Sequence, residues 1–180
     1  MNGWLRLSAA IDRVSYAFGW IASWLVLFSV LISAGNAISR YLFSLSSNAW
    51  LEIQWQLFAG IFLLGAPYVL CLNGHVRVDL VYGSVRPRGK LWIDVIGIVF
   101  FLFPVMLVLT YFAWNFFLPS FYSGERSSNT GGLIFWPVKL LMPIGFGLVL
   151  LQGLSELIKR IAGLRGVVDE PVVEYEKPLQ

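Results

Sequence analysis

Polar positions along this chain arrive in bursts separated by long oily runs. Asp, Glu, Lys and Arg are absent from residues 14–39, 53–76, 95–124 and 140–155, and these runs are apolar on every face instead of alternating with period two. About twenty apolar residues carry an α-helix across a ~30 Å hydrocarbon core, where lipid offers no partner to an open backbone N–H or C=O. The runs therefore predict four transmembrane helices, at about 15–38, 51–73, 91–117 and 134–158. The last begins ahead of its charge-free run because Lys139 can bend its ammonium back to the headgroups. A β-barrel would need many strands of about ten residues with alternating polarity. The expected fold class is an all-α membrane protein: one four-helix domain over 1–164, then a cytoplasmic tail over 165–180 whose acids and two prolines predict weak order.

Charge orients these helices. Arg6 and Arg13 precede the first, Arg77, Arg86, Arg88 and Lys90 lie between the second and third, and Lys159, Arg160, Arg165 and Lys177 follow the fourth. The other two loops, with the helix starts they lead into, hold Arg40, Arg126 and Lys139. Basic residues gather on the cytoplasmic side, so both termini are expected there. The first run, 26 residues with two tryptophans, exceeds the 7–15-residue apolar core of a secretory signal, so it is expected to remain as a span.

Composition agrees and narrows the classes. Hydrophobic residues make up 58% and charged ones 13%, against about a quarter charged in soluble domains. The net charge of +3 reflects membrane orientation and contact with anionic lipid headgroups, and no loop carries the basic patch with stacking aromatics that nucleic acid would need. The one cysteine, Cys71, lies among apolar residues and is expected to pack as a small hydrophobe.

Chemistry is sparse. A membrane haem is held by paired axial ligands, and one histidine, His75, cannot supply a pair. No P-loop, HExxH, GxSxG or Cys/His cluster occurs, so nucleotide, zinc and acyl-transfer chemistry lack their parts. No cofactor and no enzymatic activity are expected. A carrier working alone should show mid-membrane charges or broken helices in two matching halves. Pro67, Pro104 and Pro143 could kink helices two, three and four, but they come without companion charges and without an internal repeat.

The remaining polar residues sit at span ends. Arg40 closes the first span; Glu52 and Gln56, four apart, share a face at the start of the second. Glu52 is expected to be solvated or paired with Arg40, or else to hook a neighbouring membrane subunit by an interhelical hydrogen bond. After the second span, LNGHVRVDLVYG (72–83) places Val76, Val78 and Leu80 on one side and His75, Arg77 and Asp79 on the other. Such a segment can lie along the interface with its apolar side dipped in lipid or against a partner. The stretch 119–137 should face the periplasm, where Glu125 and Arg126 could touch a soluble partner, the alternative being an ordinary polar turn. Gln152, Glu156 and Arg160 follow at four-residue spacing and suggest a local ladder at the cytoplasmic boundary.

Taken together, RYLF (40–43), WLEIQWQLFAGIFLLGAPYVLCLNGHVRVDLVY (50–82), LWIDVIG (91–97) and SGERSSNTGGLIFWPVKLLMPIGFGLVLLQGLSELIK (123–159) resemble the small membrane subunit of tripartite ATP-independent periplasmic (TRAP) transporters, the DctQ-like family. They stand closest to its mannitol or chloroaromatic branch. The resemblance implies four membrane helices with cytoplasmic termini in a bacterial inner membrane. It also implies a large membrane subunit that carries substrate and sodium sites and moves elevator-fashion, and a periplasmic binding protein that delivers an organic acid. The small subunit would enlarge the stationary scaffold. Arg40, Glu52, Gln56, His75, Arg77 and Asp79 are then expected to hold its shape or its contact with the large subunit, and Glu125 and Arg126 to meet the binding protein. Two departures stand out: relatives with two adjacent acids contrast with Glu52–Ile53 here, and Lys139 interrupts the start of the fourth helix. The rival expectation is a stand-alone four-helix scaffold, or a small proton-coupled carrier using Glu52 and His75.

Overall fold

The computed structural model describes residues 2–44, 47–74, 85–129 and 131–167. The segment carrying His75, Arg77 and Asp79 and the tail beyond 167 lie outside the described residues. Among the described residues the chain forms α1 (Asn2–Phe43), α2 (Asn48–Cys71), α3 (Pro87–Gly97), a π-helical turn (Ile98–Leu102), α4 (Phe103–Ser123) and α5 (Trp136–Leu164). No strand is present among them; Arg126 and Ile134 make an isolated antiparallel bridge. Because α3, the π turn and α4 run on as one rod, four helices are long and apolar enough to cross a membrane.

The first and third rods contain the expected spans and outrun them at both ends. The second helix stops at Cys71, two residues short of its expected span, and the fourth begins at Trp136, two residues into its own, and runs on to Leu164. At 1.5 Å per residue the 42 residues of α1 measure about 63 Å, twice the hydrocarbon thickness. Hydropathy marks where the oil is, whereas the helix continues wherever no breaker intervenes, and residues 2–43 contain no proline. Ser47 starts α2: its backbone is extended, and its Oγ accepts the Ala49 N–H at 3.3 Å, the usual way to satisfy a free N-terminal donor.

Proline explains the π turn. Pro104 lacks an N–H, and its ring would press on the carbonyl four residues earlier, that of Phe100. The chain widens just before it, with the Phe103 N–H reaching back five residues to the Ile98 carbonyl. Pro67 and Pro143, by contrast, lie buried inside helices that continue through them.

α5 is the hub. α1 and α2 pack on each other and on α5, while α3 and α4 pack on α5 from their own side. Lipid is as apolar as leucine, so membrane helices associate by close fit and by small residues at crossings. At Gly145 an added Cβ would lie 2.8 Å from Leu63 Cβ and 2.9 Å from its carbonyl oxygen, so α2 and α5 touch backbone to backbone. At Gly153 it would lie 2.6 Å from a Leu102 methyl, which seats the π turn on α5. The outward faces are strongly apolar, with Phe100 and Phe101 69% and 70% exposed.

Candidate functional site

Polar side chains collect at the two ends of the bundle. At the end where α2 and α5 begin, Glu52 lies on the first turns of α2 and is 3% exposed. Its Oε2 accepts the Leu133 N–H at 2.7 Å and its Oε1 the Asn129 Nδ2 at 2.9 Å. Gln56, one turn further in, makes a long 3.5 Å contact from Nε2 to the Ile134 carbonyl. Glu52 therefore ties down the α4–α5 loop of its own chain. The expectation of a solvated or Arg40-paired Glu52 is corrected: Arg40 is exposed at the end of α1, and backbone and amide donors from the loop take the carboxylate.

That loop has its own internal order. Ser127 N–H donates to the Leu133 carbonyl at 2.9 Å and Phe135 N–H to the Glu125 carbonyl at 2.9 Å, flanking the Arg126–Ile134 bridge. The Glu125 carboxylate pairs with the Lys139 ammonium, which also stands 4.2 Å over the Phe116 ring. Bonding to that ammonium holds the Glu125 carboxyl below its ordinary range. Lys139, which reads as a break in an apolar helix start, thus has an acid and an aromatic face waiting for it. Arg126 is exposed beside this structure.

The opposite end, where α1 begins and α5 finishes, holds a larger network. Gln152 and Ser155 on α5 are fully buried. Ser15 Oγ donates to Gln152 Oε1 at 2.7 Å, while Gln152 Nε2 donates to Asp12 Oδ1 at 3.0 Å and Glu156 Oε1 at 3.1 Å. Ser155 Oγ donates to Asp12 Oδ1 at 2.7 Å and stands 2.7 Å from Ser8 Oγ. The Lys159 ammonium bridges Asp12 Oδ2 at 2.9 Å and Glu156 Oε1 at 2.7 Å. Arg160 extends the chain to Asp94 on α3 at 3.1 Å, so α1, α3 and α5 are joined.

The expected ladder of Gln152, Glu156 and Arg160 is present, but it is one wall of a three-helix network. Sequence reasoning passed over Ser8, Asp12, Ser15 and Asp94. The signal was available: Ser8, Asp12 and Ser15 are spaced four and three apart and so share one face of α1. Cys71, expected among apolar neighbours, has its sulfur within 4.8 Å of the ligand oxygens of Asp12 and Glu156. This trio has the donor set of a metal site, yet the cation between the two carboxylates is the Lys159 ammonium. Chemically the arrangement is a set of ion pairs and hydrogen bonds that fixes α1, α3 and α5 to one another.

Of the residues singled out from sequence, the structure brings Glu52 and Gln56 together with the 125–135 loop and leaves Arg40 apart; His75, Arg77 and Asp79 lie outside the described residues. A family model described as "Tripartite ATP-independent periplasmic transporters, DctQ component" matches residues 29–163. Comparisons with curated proteins and with solved structures give no match.

Proposed function

This chain belongs to the DctQ family, the small membrane subunit of tripartite ATP-independent periplasmic transporters, and we propose that within such a transporter it is a stationary brace for the large subunit. The carrying observation is where the polar groups are. Charges gather at the two ends, and the buried acids among the described residues are satisfied by the chain itself, Glu52 by Asn129 and Leu133 and Asp12 and Glu156 by Lys159. The runs between are free of charged residues. A mid-membrane solute site needs polar or ionisable groups facing inward, whereas a wall for a moving neighbour needs stiffness and apolar surface.

The family match supports the finer reading: sodium-coupled uptake of an organic acid through the large subunit, in a bacterial inner membrane, with a periplasmic binding protein as third component. The branch that handles mannitol-type or chloroaromatic substrates is part of this proposal, as is a role for Arg40, Gln56, His75, Arg77 and Asp79 in shape or subunit contact. On the loop, Glu125 is engaged by Lys139, so exposed Arg126 is the stronger of the two for meeting the binding protein. The carrier alternative loses support because the Glu52 carboxylate already accepts two hydrogen bonds from its own loop.

Co-expression with the large subunit provides the test. The two chains should copurify, and sodium-driven uptake in proteoliposomes containing binding protein should vanish when this chain is omitted. Glu52→Ala, which strands the Leu133 and Asn129 donors at a cost of about 1–3 kcal/mol, should lower recovery of the complex several-fold while leaving cargo affinity in the assembled fraction unchanged. Uptake by this chain alone, or an intact Glu52→Ala complex with weakened cargo affinity, would refute the brace.

A further inference from the structure

At the end where α2 and α5 begin, the chain carries three basic residues, Arg40, Arg126 and Lys139, and two acids, Glu52 and Glu125. Basic residues are disfavoured on the side of a membrane away from the cytoplasm, so each one there calls for a local cause. Lys139 has its cause in Glu125 and the Phe116 ring. Glu52 is 3% exposed, and its two oxygens are taken by the neutral donors Asn129 and Leu133. Both acids of this end are therefore engaged elsewhere, while Arg126 is exposed. The bridge to Ile134 explains its direction. Side chains alternate along extended backbone, so with the Glu125 carboxylate turned to α5, Arg126 points away from it.

The loop that carries Arg126 is tightly knit. Besides the backbone bonds flanking the bridge, Ser127 Oγ accepts the Asn129 N–H at 3.2 Å and the Asn129 carbonyl accepts the Gly132 N–H at 2.9 Å. Gly131 has φ +75°, and a Cβ on Gly132 would lie 2.7 Å from the Ser127 carbonyl oxygen, so the return of the chain needs both glycines. Glu52 pins this turn from the α2 side at two points, Asn129 and Leu133. A fluid layer of lipid headgroups requires no such fixed shape. A folded partner gains from it, because ordering a loop on contact costs affinity. The charge left over is positive, so the complementary surface is acidic.

We infer that the 125–135 loop is a preformed docking surface whose Arg126 meets an acidic patch on a soluble periplasmic protein, with Glu52 the positioning residue that holds the loop in shape. On the transporter reading, on which the identity of this partner rests, it is the binding protein.

The test measures affinity of that binding protein for the purified complex of this chain with the large subunit, at low and at high salt. Affinity should fall with salt, since charges on exposed surfaces are screened. Arg126→Glu should weaken it roughly tenfold and flatten the salt dependence. Arg126→Lys should retain most of it, and Arg6→Gln, at the opposite end, all of it. In the fraction that assembles, Glu52→Gln should weaken docking several-fold and speed hydrogen exchange at the Leu133 amide. Combined with Arg126→Glu it should add little, because Glu52 acts through the placement of Arg126. Unchanged affinity in Arg126→Glu would overturn the docking surface, and additive losses in the double variant would overturn the positioning role. Adsorption of the chain to anionic vesicles that Arg126→Glu abolishes, with docking intact, would place lipid phosphate at Arg126 and overturn the protein partner. The same titration on this chain without the large subunit keeps the two readings apart: the Arg126 series judges the docking surface, and copurification judges the brace.

Discussion

A carboxylate entering the edge of a bilayer must find donors before it loses water, because an unpaired buried charge is far more costly than a lost contact. Glu52 finds its donors in Leu133 and Asn129, Glu125 in Lys139. Glu125 also supplies a pH signature. Its folded carboxyl titrates below the ordinary range, Lys139 being the first cause. Its contribution to stability is therefore fully present above the unfolded value of about 4.3 and lost as pH falls through the depressed folded value. Thermal midpoints of the natural chain and Glu125→Gln, measured in detergent from neutral to acid, should differ by a constant gap above about pH 5 that closes at lower pH. A gap unchanged into strong acid would mean that the ion pair does not carry the difference.

At the scale of helices, the bundle is set by how closely α5 is approached. Gly145 meets the Leu63 backbone at distances a side chain cannot share, while an added Cβ at Gly147 would meet open space. Gly145→Ala should lower stability by about 1–3 kcal/mol by prising α2 from α5. Gly147→Ala should be neutral or gain up to about 1 kcal/mol in helix propensity. Paired thermal melts decide it, and equal effects at both positions would show that the crossing does not depend on that contact. The same scale explains why the ladder on α5 was partly legible. Its i, i+4 spacing lies in one helix, but its partners Asp12 and Asp94 sit on α1 and α3, and no local pattern reports which helices meet.

For the whole molecule, polar bonding at both ends and close fit at α5 make a body whose buried acids, among the described residues, are paired within the chain, under an oily exterior. Such a body suits a wall in the membrane beside a larger partner. From the basic residues at one end we propose that both termini face the cytoplasm. Green fluorescent protein fused after Gln180 should therefore fluoresce in the bacterial cytoplasm, and alkaline phosphatase inserted after Gly131 should be active in the periplasm. The reverse pattern would invert every statement above about which leaflet and which partner each end meets.

Four charge-free runs determined the membrane class and the four spans, since the length of an oily run is a direct physical match to bilayer thickness. Joint motifs such as WLEIQWQLF and SGERSSNTGG carried the family. Glu52 was legible as a polar residue needing a partner, and Lys139 as an interruption. The partners themselves, Leu133 for one and Glu125 with Phe116 for the other, were decided by tertiary structure. So were the position of Cys71 beside two carboxylates and the hub role of α5. Hydropathy is a property of each segment against lipid, so one strand of sequence suffices to read it. A hydrogen bond between residues 137 or 147 positions apart, as in Ser15–Gln152 and Ser8–Ser155, depends on which helix faces cross, and that is fixed by packing at a few small residues.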